Sequence, residues 1–195
     1  TLSAGQDIRD SSTTNQSANK GTYYVAVDGS DTSPGTFERP LKTLEKAIQI
    51  VRPGEKIYIR GGTYHCDKTI VFDKSGEQNR PISVLAYHNE KTVFDFSMAW
   101  SNGFLIKGAY WRVKGLVVQN AGAAGMVIQS EKAHHNTIEH ITAHGNNNTG
   151  LSLRSGAADN LILNCDSHHN FDPVSNGEDA DGFGAEFGLG QGNVF

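Results

Sequence analysis

Val113-Lys-Gly-Leu-Val-Val118, Ile138-Glu-His-Ile-Thr-Ala143 and Ile162-Leu-Asn-Cys-Asp-Ser167 are one pattern written three times, at offsets of 25 and 24 residues. A second strip follows each copy: Gly125-Met-Val-Ile128, Gly150-Leu-Ser-Leu153 and Gly182-Phe-Gly-Ala185, at offsets of 25 and then 32. Short apolar runs that realign to themselves at such a period, separated by Gly and Asn turns, describe a stacked solenoid in which no single repeat can bury its own apolar face. Insertions in solenoids map to loops on one face, often the binding face. The extra residues of the third step, Phe171-Asp-Pro-Val-Ser-Asn-Gly-Glu-Asp179, therefore mark a candidate functional loop, and they are acidic.

Upstream, the same architecture is legible with less regularity. Tyr23–Val27, Lys56–Arg60, Thr69–Phe72, Ile82–Ala86, Thr92–Phe96 and Phe104–Ile106 are short β-branched or aromatic runs, most of them about ten residues apart. Such spacing also fits a β-sandwich, but a Greek-key sandwich does not realign every 24 or 25 residues. The expected fold is all-β: a right-handed parallel β-helix with three short strands per coil, right-handed because parallel crossovers almost always are. Leu41, Leu44, Ile48 and Val51 change to helical spacing before Pro53-Gly54. They predict an N-terminal capping helix near residues 41–52, lying across the open end of the solenoid to shield its core. Residues 1–21 are polar and aperiodic and read as a flexible lead-in, leaving 22–195 as one β-helical domain.

Composition sets outer bounds. The chain has 195 residues, 37% of them hydrophobic, enough for one core. Gly, at 22 residues, far outnumbers Pro, at 5, as expected of many turns with positive φ. A net charge of −4 gives no basic patch for nucleic acid. No apolar run reaches the length of a membrane span. Cys66 and Cys165 are the only cysteines; Cys165 shares a column with Leu116 and Ile141 and reads as an inward, unreactive thiol. The start at Thr1 has neither a basic nor an apolar leader segment and reads as an already processed or artificially trimmed end. Asn136 with Asn160, and Asn146 with Asn170, share columns and read as stacked amides hydrogen-bonded along the solenoid.

Tyr23-Tyr-Val-Ala-Val-Asp-Gly-Ser-Asp31, Pro40-Leu-Lys-Thr-Leu-Glu-Lys-Ala47 and Pro53-Gly-Glu-Lys-Ile-Tyr-Ile-Arg-Gly-Gly-Thr-Tyr64 look like the opening of secreted β-helix proteins that act on polysaccharides. Asn164-Cys-Asp-Ser-His-His-Asn170, Gly177-Glu-Asp-Ala-Asp-Gly-Phe183 and Gly190-Gln-Gly-Asn-Val-Phe195 narrow the likeness. They resemble the pectate lyases of polysaccharide lyase family nine, from about residue 22 to the end. The resemblance implies a secreted enzyme that cleaves polygalacturonate, or a related acidic polysaccharide, by Ca²⁺-dependent β-elimination. It implies Asp181 as a calcium ligand, further aspartates one coil on, and a lysine base later still, beyond Phe195. The expectation is thus an N-terminal part whose C-terminal remainder completes the same β-helix, and which has no lyase activity alone.

The residues themselves leave several roles open. Asp179 is the auxiliary metal candidate beside Asp181, and Glu178 could add oxygens. Asp172 belongs to the same acidic group, and Asp166 reads as outward-facing, in the column of Val117 and Thr142. Each has a plainer reading as a turn or solvated carboxylate. His168 and His169 lack the further ligands that a zinc site needs. Glu186 stands where a basic or neutral residue is expected beside an anionic sugar. Lys107, Lys114 and Lys132 read as solvated. The reading from a different class is a non-catalytic β-helix that binds or displays on a glycan surface, distinguished by the sequence one coil beyond Phe195.

Overall fold

The structure is a computed structural model that describes residues 21–88 and 90–195; most of the expected lead-in lies outside the described residues. It is a right-handed parallel β-helix. Strand β1 (Thr22–Val25) and helix α1 (Leu44–Ile50) precede five coils. The coils are β2 (Lys56–Ile59), β3 (Gly62–His65) and β4 (Ile70–Phe72); β5 (Ile82–Ala86), β6 (Thr92–Asp95) and β7 (Phe104–Ile106); β8 (Trp111–Lys114), β9 (Leu116–Gln119) and β10 (Met126–Gln129); β11 (Thr137–Glu139), β12 (Thr142–His144) and β13 (Leu151–Arg154); β14 (Leu161–Leu163), β15 (Asp166–His168) and β16 (Phe183–Glu186). Each coil gives its first strand to sheet A (β1-β2-β5-β8-β11-β14), its second to sheet B (β3-β6-β9-β12-β15) and its third to sheet C (β4-β7-β10-β13-β16).

The registers are those of the repeat. Val113 pairs with Ile138 and Ile138 with Ile162. Val117 pairs with Thr142 and Thr142 with Asp166. In sheet C, Met126, Leu151 and Phe183 are stacked, and the 32-residue step leaves that pairing intact. Alternate residues face inward, so each column stacks like on like: Ile57, Val84, Val113, Ile138 and Ile162 on sheet A, all within 4% exposure. Phe72, Phe94, Phe96, Phe104 and Trp111 fill the early coils, with ring centroids 5.0–5.8 Å apart. Burying each large apolar side chain stabilises by about 1.5–3 kcal/mol.

Helix α1 is shorter than the sequence predicts, Leu44–Ile50 against 41–52. Leu41 is claimed by strand pairing: its N–H donates to Tyr24 O at 2.8 Å and its carbonyl accepts from Ala26 N at 2.9 Å. Thr43 is the N-cap, its hydroxyl accepting from Lys46 N at 3.2 Å, and Asp31 fixes Thr43 in turn. At the other end, Lys74 Nζ donates to the carbonyls of Gln49 and Val51, placing a cation on orphaned C-terminal acceptors. Leu44, Ala47 and Ile48 are buried against the first coil, which gives the helix its place at the end of the core.

Two asparagine ladders run along the stack. Asn136 Nδ2 donates to Asn160 Oδ1 at 2.9 Å, and Asn160 Nδ2 to Asn193 Oδ1 at 3.0 Å. In the second ladder, Asn146 Nδ2 donates to Asn170 Oδ1 at 2.9 Å. That ladder explains the glycine column of the sequence. A Cβ on Gly125 would lie 2.6 Å from Asn146 Nδ2, and one on Gly150 would lie 2.6 Å from Asn170 Nδ2. Gly182 has no such neighbour; a Cβ there meets nothing closer than 3.7 Å.

Candidate functional site

The turns from sheet B to sheet C form one edge of the solenoid, and the longest of them joins β15 to β16. It is turn structure from Pro173 to Asp179 and not a strand, as the 32-residue step predicts. Asp172 organises it from within: Oδ1 accepts from Val174 N at 2.7 Å, Oδ2 accepts from Ser175 Oγ at 3.1 Å, and its carbonyl accepts from Gly177 N at 2.8 Å. The Val174 amide above all, with Ser175 assisting, holds this carboxyl below the usual aspartate range. Asp172 is therefore a loop-building residue, the plainer of its two readings.

Asp181 closes the turn. Its carbonyl accepts from Gly150 N at 2.9 Å, which pins the backbone to the coil below, while its side chain is exposed and makes no hydrogen bond among the described residues. Asp179 is held similarly by its backbone: the carbonyl accepts from Thr149 Oγ1 at 3.3 Å and the amide donates to Ser175 Oγ at 3.1 Å. Its carboxylate, like that of Glu178, is exposed. So Asp179 and Asp181 sit on one turn, both tied to Thr149-Gly150, with carboxylates uncommitted among the described residues. Among the described residues, no group of three His, Cys, Asp or Glu side chains converges as a metal site. Calcium takes roughly six to eight oxygens, carboxylates foremost. The carboxylates of Asp181 and Asp179 have the oxygen chemistry such an ion takes, and by themselves would fill only part of its shell.

The neighbouring outer face of sheet B is polar. Asp166 is exposed and outward, in register with Thr142 and Val117 as the repeat requires. His168 stacks on His144, with centroids 4.9 Å apart and planes 6° from parallel, and His168 Nδ1 lies 2.6 Å from His169 Nδ1. Burial first, then repulsion from His168 and His169, lowers the His144 pKa. Glu186 on β16 is less repulsive than its sequence position suggests. It is in register with Arg154, whose guanidinium is 3.9 Å away. Cys165 and Cys66 are half-buried; burial raises both thiols, Cys66 to about 12, which keeps them unreactive. Lys114, read from sequence as solvated, instead donates to Glu139 at 2.6 Å. Sequence reasoning also missed the aromatic surface that Tyr24, Tyr58 and Tyr87 form on sheet A, because the coils that carry it are irregular in length.

Residues 23–195 match the family described as the Pel9A-like, right-handed β-helix region. The chain is 40% identical over 189 residues to pectate lyase L of Dickeya chrysanthemi, covering 90% of this chain and 44% of that protein. It is 36% identical over 186 residues to pectate lyase PEL9 of Emericella nidulans, covering 88% of this chain and 45% of that one. The crystal structure of pectate lyase Pel9A superposes with a TM-score of 0.81 at 39% identity, over 88% of this chain and 45% of the other. The chain thus spans less than half the length of these relatives.

Proposed function

The chain belongs to the Pel9A-like right-handed β-helix family, and from that premise we propose that it is the N-terminal part of a secreted, calcium-dependent polysaccharide lyase that cleaves polygalacturonate or a related uronic-acid polymer by β-elimination. The observation that carries the proposal is the pair Asp181 and Asp179, fixed by their backbones to one turn with carboxylates turned to solvent.

Elimination across C4–C5 of a uronate begins with a barely acidic proton, so charge on the adjacent carboxylate must be neutralised before a base can act. A bound calcium ion would supply that neutralisation as a Lewis acid. In this chain, Asp181 is the principal ligand and Asp179 an auxiliary one, and the remaining oxygens come from the part of the protein that its relatives have and this segment does not span. The proton-abstracting base is assigned to the same part. Thr149 and Gly150, through their bonds to the Asp179 and Asp181 carbonyls, hold the turn at a fixed height on the solenoid. The Asp172-centred loop shapes the approach to it.

The test is ultraviolet absorbance of the unsaturated uronate product from polygalacturonate, using the full-length protein with calcium and with a chelator. Calcium-dependent product formation supports the reading. Robust turnover in chelator, or by the 195-residue segment alone, overturns the placement of the site.

A further inference from the structure

The outer face of sheet A carries a groove that this reading does not use. Its register aligns Tyr24, Tyr58, Leu85, Lys114 and Glu139 in one row along the solenoid axis, and Lys56, Ser83 and Arg112 in the next. Neighbouring strands are about 4.8 Å apart, so each row offers a side chain at roughly the spacing of successive pyranose rings. Tyr24 and Tyr58 stack at 5.7 Å, and Tyr87 meets both edge-on at 5.8 Å. The Arg60 guanidinium lies 4.7 Å from the Phe37 ring centre and 5.5 Å from that of Tyr87. A cleft of about 470 Å³ opens between the tyrosines, His88, Arg112 and Lys114. A second cleft, of about 480 Å³, shares Arg112 and adds Lys56, Arg80 and one carboxylate, Glu55.

Three properties point to an acidic sugar. First, Tyr24, Tyr58 and Tyr87 are half-buried side chains whose hydroxyls make no hydrogen bond among the described residues; their rings pack on one another, and Tyr87 also on Phe37 and His88, which leaves the hydroxyl donors and the part of each ring that lines the cleft. Second, the cations outnumber their answer: Glu139 accepts from Lys114 at 2.6 Å and from Arg112 at 3.0 Å, one carboxylate for two positive charges. Third, the lining of the first cleft contains no carboxylate, in a chain of net charge −4. Aromatic faces suit the C–H face of a sugar, and the cations suit its carboxylate by charge-assisted hydrogen bonds.

We propose that this groove is a second carbohydrate subsite, separate from the turn bearing Asp181, which holds a short run of uronate residues with rings against Tyr58 and Tyr87 and a carboxylate on Lys114 and Arg112. The ligand class rests on the pectate reading, whereas the location rests on sheet A alone. The subsite would retain the polymer on the enzyme between cleavage events.

The test is calorimetric titration of the full-length protein with tetragalacturonate in excess chelator, where calcium-dependent turnover is absent. Tetragalacturonate binds and the neutral probe xylotetraose does not. Lys114→Gln weakens binding about tenfold, the effect of losing one charge-assisted contact, and Tyr58→Ala does the same. Glu139→Gln acts in the opposite direction, tightening binding severalfold by releasing both cations, an outcome that damaged folding would not produce. No binding in chelator, equal binding of xylotetraose, unchanged binding in Lys114→Gln, or self-association through this face without sugar binding would each overturn the proposal. Calcium-dependent cleavage with no groove binding rejects the subsite alone. Groove binding without cleavage supports the subsite and rejects only the lyase reading.

Discussion

Replacing Asn160 by alanine tests whether the buried amide ladder is a principal tie between coils. Asn160 and Asn136 are both 1% exposed. Asn160 Oδ1 accepts from the backbone N and from Nδ2 of Asn136, at 3.0 and 2.9 Å, and its Nδ2 donates to Ala133 O and Asn193 Oδ1, each at 3.0 Å. The substitution removes all four bonds and leaves the Asn136 amide groups and the Ala133 carbonyl buried without these partners. At about 1 kcal/mol for each bond, the expected loss is about 4 kcal/mol, a large share of a typical stability. Asn193→Ala, at the more exposed end of the same ladder, should cost roughly 1–2 kcal/mol, since water can replace a lost partner there. Urea unfolding measures both, read from the midpoint shift at unchanged slope. A loss below about 1 kcal/mol for Asn160→Ala, or equal losses at the two positions, would refute the claim that the ladder ties buried coils together.

Asp181→Ala in the full-length protein should nearly abolish calcium-dependent product formation and leave the unfolding midpoint almost unchanged, because the side chain is exposed and bonded to nothing among the described residues; unchanged turnover would move the metal elsewhere. Gly150→Ala should destabilise by about 1–3 kcal/mol through overpacking, since the new methyl would meet Ser167 Oγ and Asn170 Nδ2, whereas Gly182→Ala should be tolerated; matching melting temperatures would contradict this. Asp172 has a folded pKa below its unfolded value, so its contribution is present above the unfolded pKa, near ~3.9, and is lost as pH falls through the lower folded value. Proteolysis within the 171–180 turn should therefore rise only in that acid window, and Asp172→Asn should raise the neutral-pH rate and flatten the profile.

The later coils were legible because their steps are nearly constant. Leu116, Ile141 and Cys165 share a column at 25 and 24 residues, and the paired strands beside them follow that register. The early coils were not legible as repeats. Lys56 pairs with Ser83, a step of 27, and Ile82 with Trp111, a step of 29; Ile70 pairs with Phe104, a step of 34, and Phe104 with Met126, a step of 22. Turn lengths vary there, so spacing announces strands without saying which side chains become neighbours. For that reason the row from Tyr24 to Glu139 has no signature in the chain. Helix α1 was legible in kind but not in extent, since the pairing of Leu41 with β1 is a tertiary demand. Asp181 came from likeness to a family motif, and Asp179 from its place in the acidic insertion beside it. The structure adds the height at which Thr149 and Gly150 hold them and the internal use of Asp172, neither of which local sequence encodes.

The turn between β15 and β16 absorbs its extra residues without disturbing the ladder it interrupts: Leu151 still faces Phe183, and Arg154 still faces Glu186. Length on this edge is therefore independent of register in the wall. A natural lineage, or an engineer, can lengthen, shorten or exchange that segment as a cassette while the scaffold on either side stays the same. Small insertions at one address can then reshape the edge without renegotiating the stack beneath them.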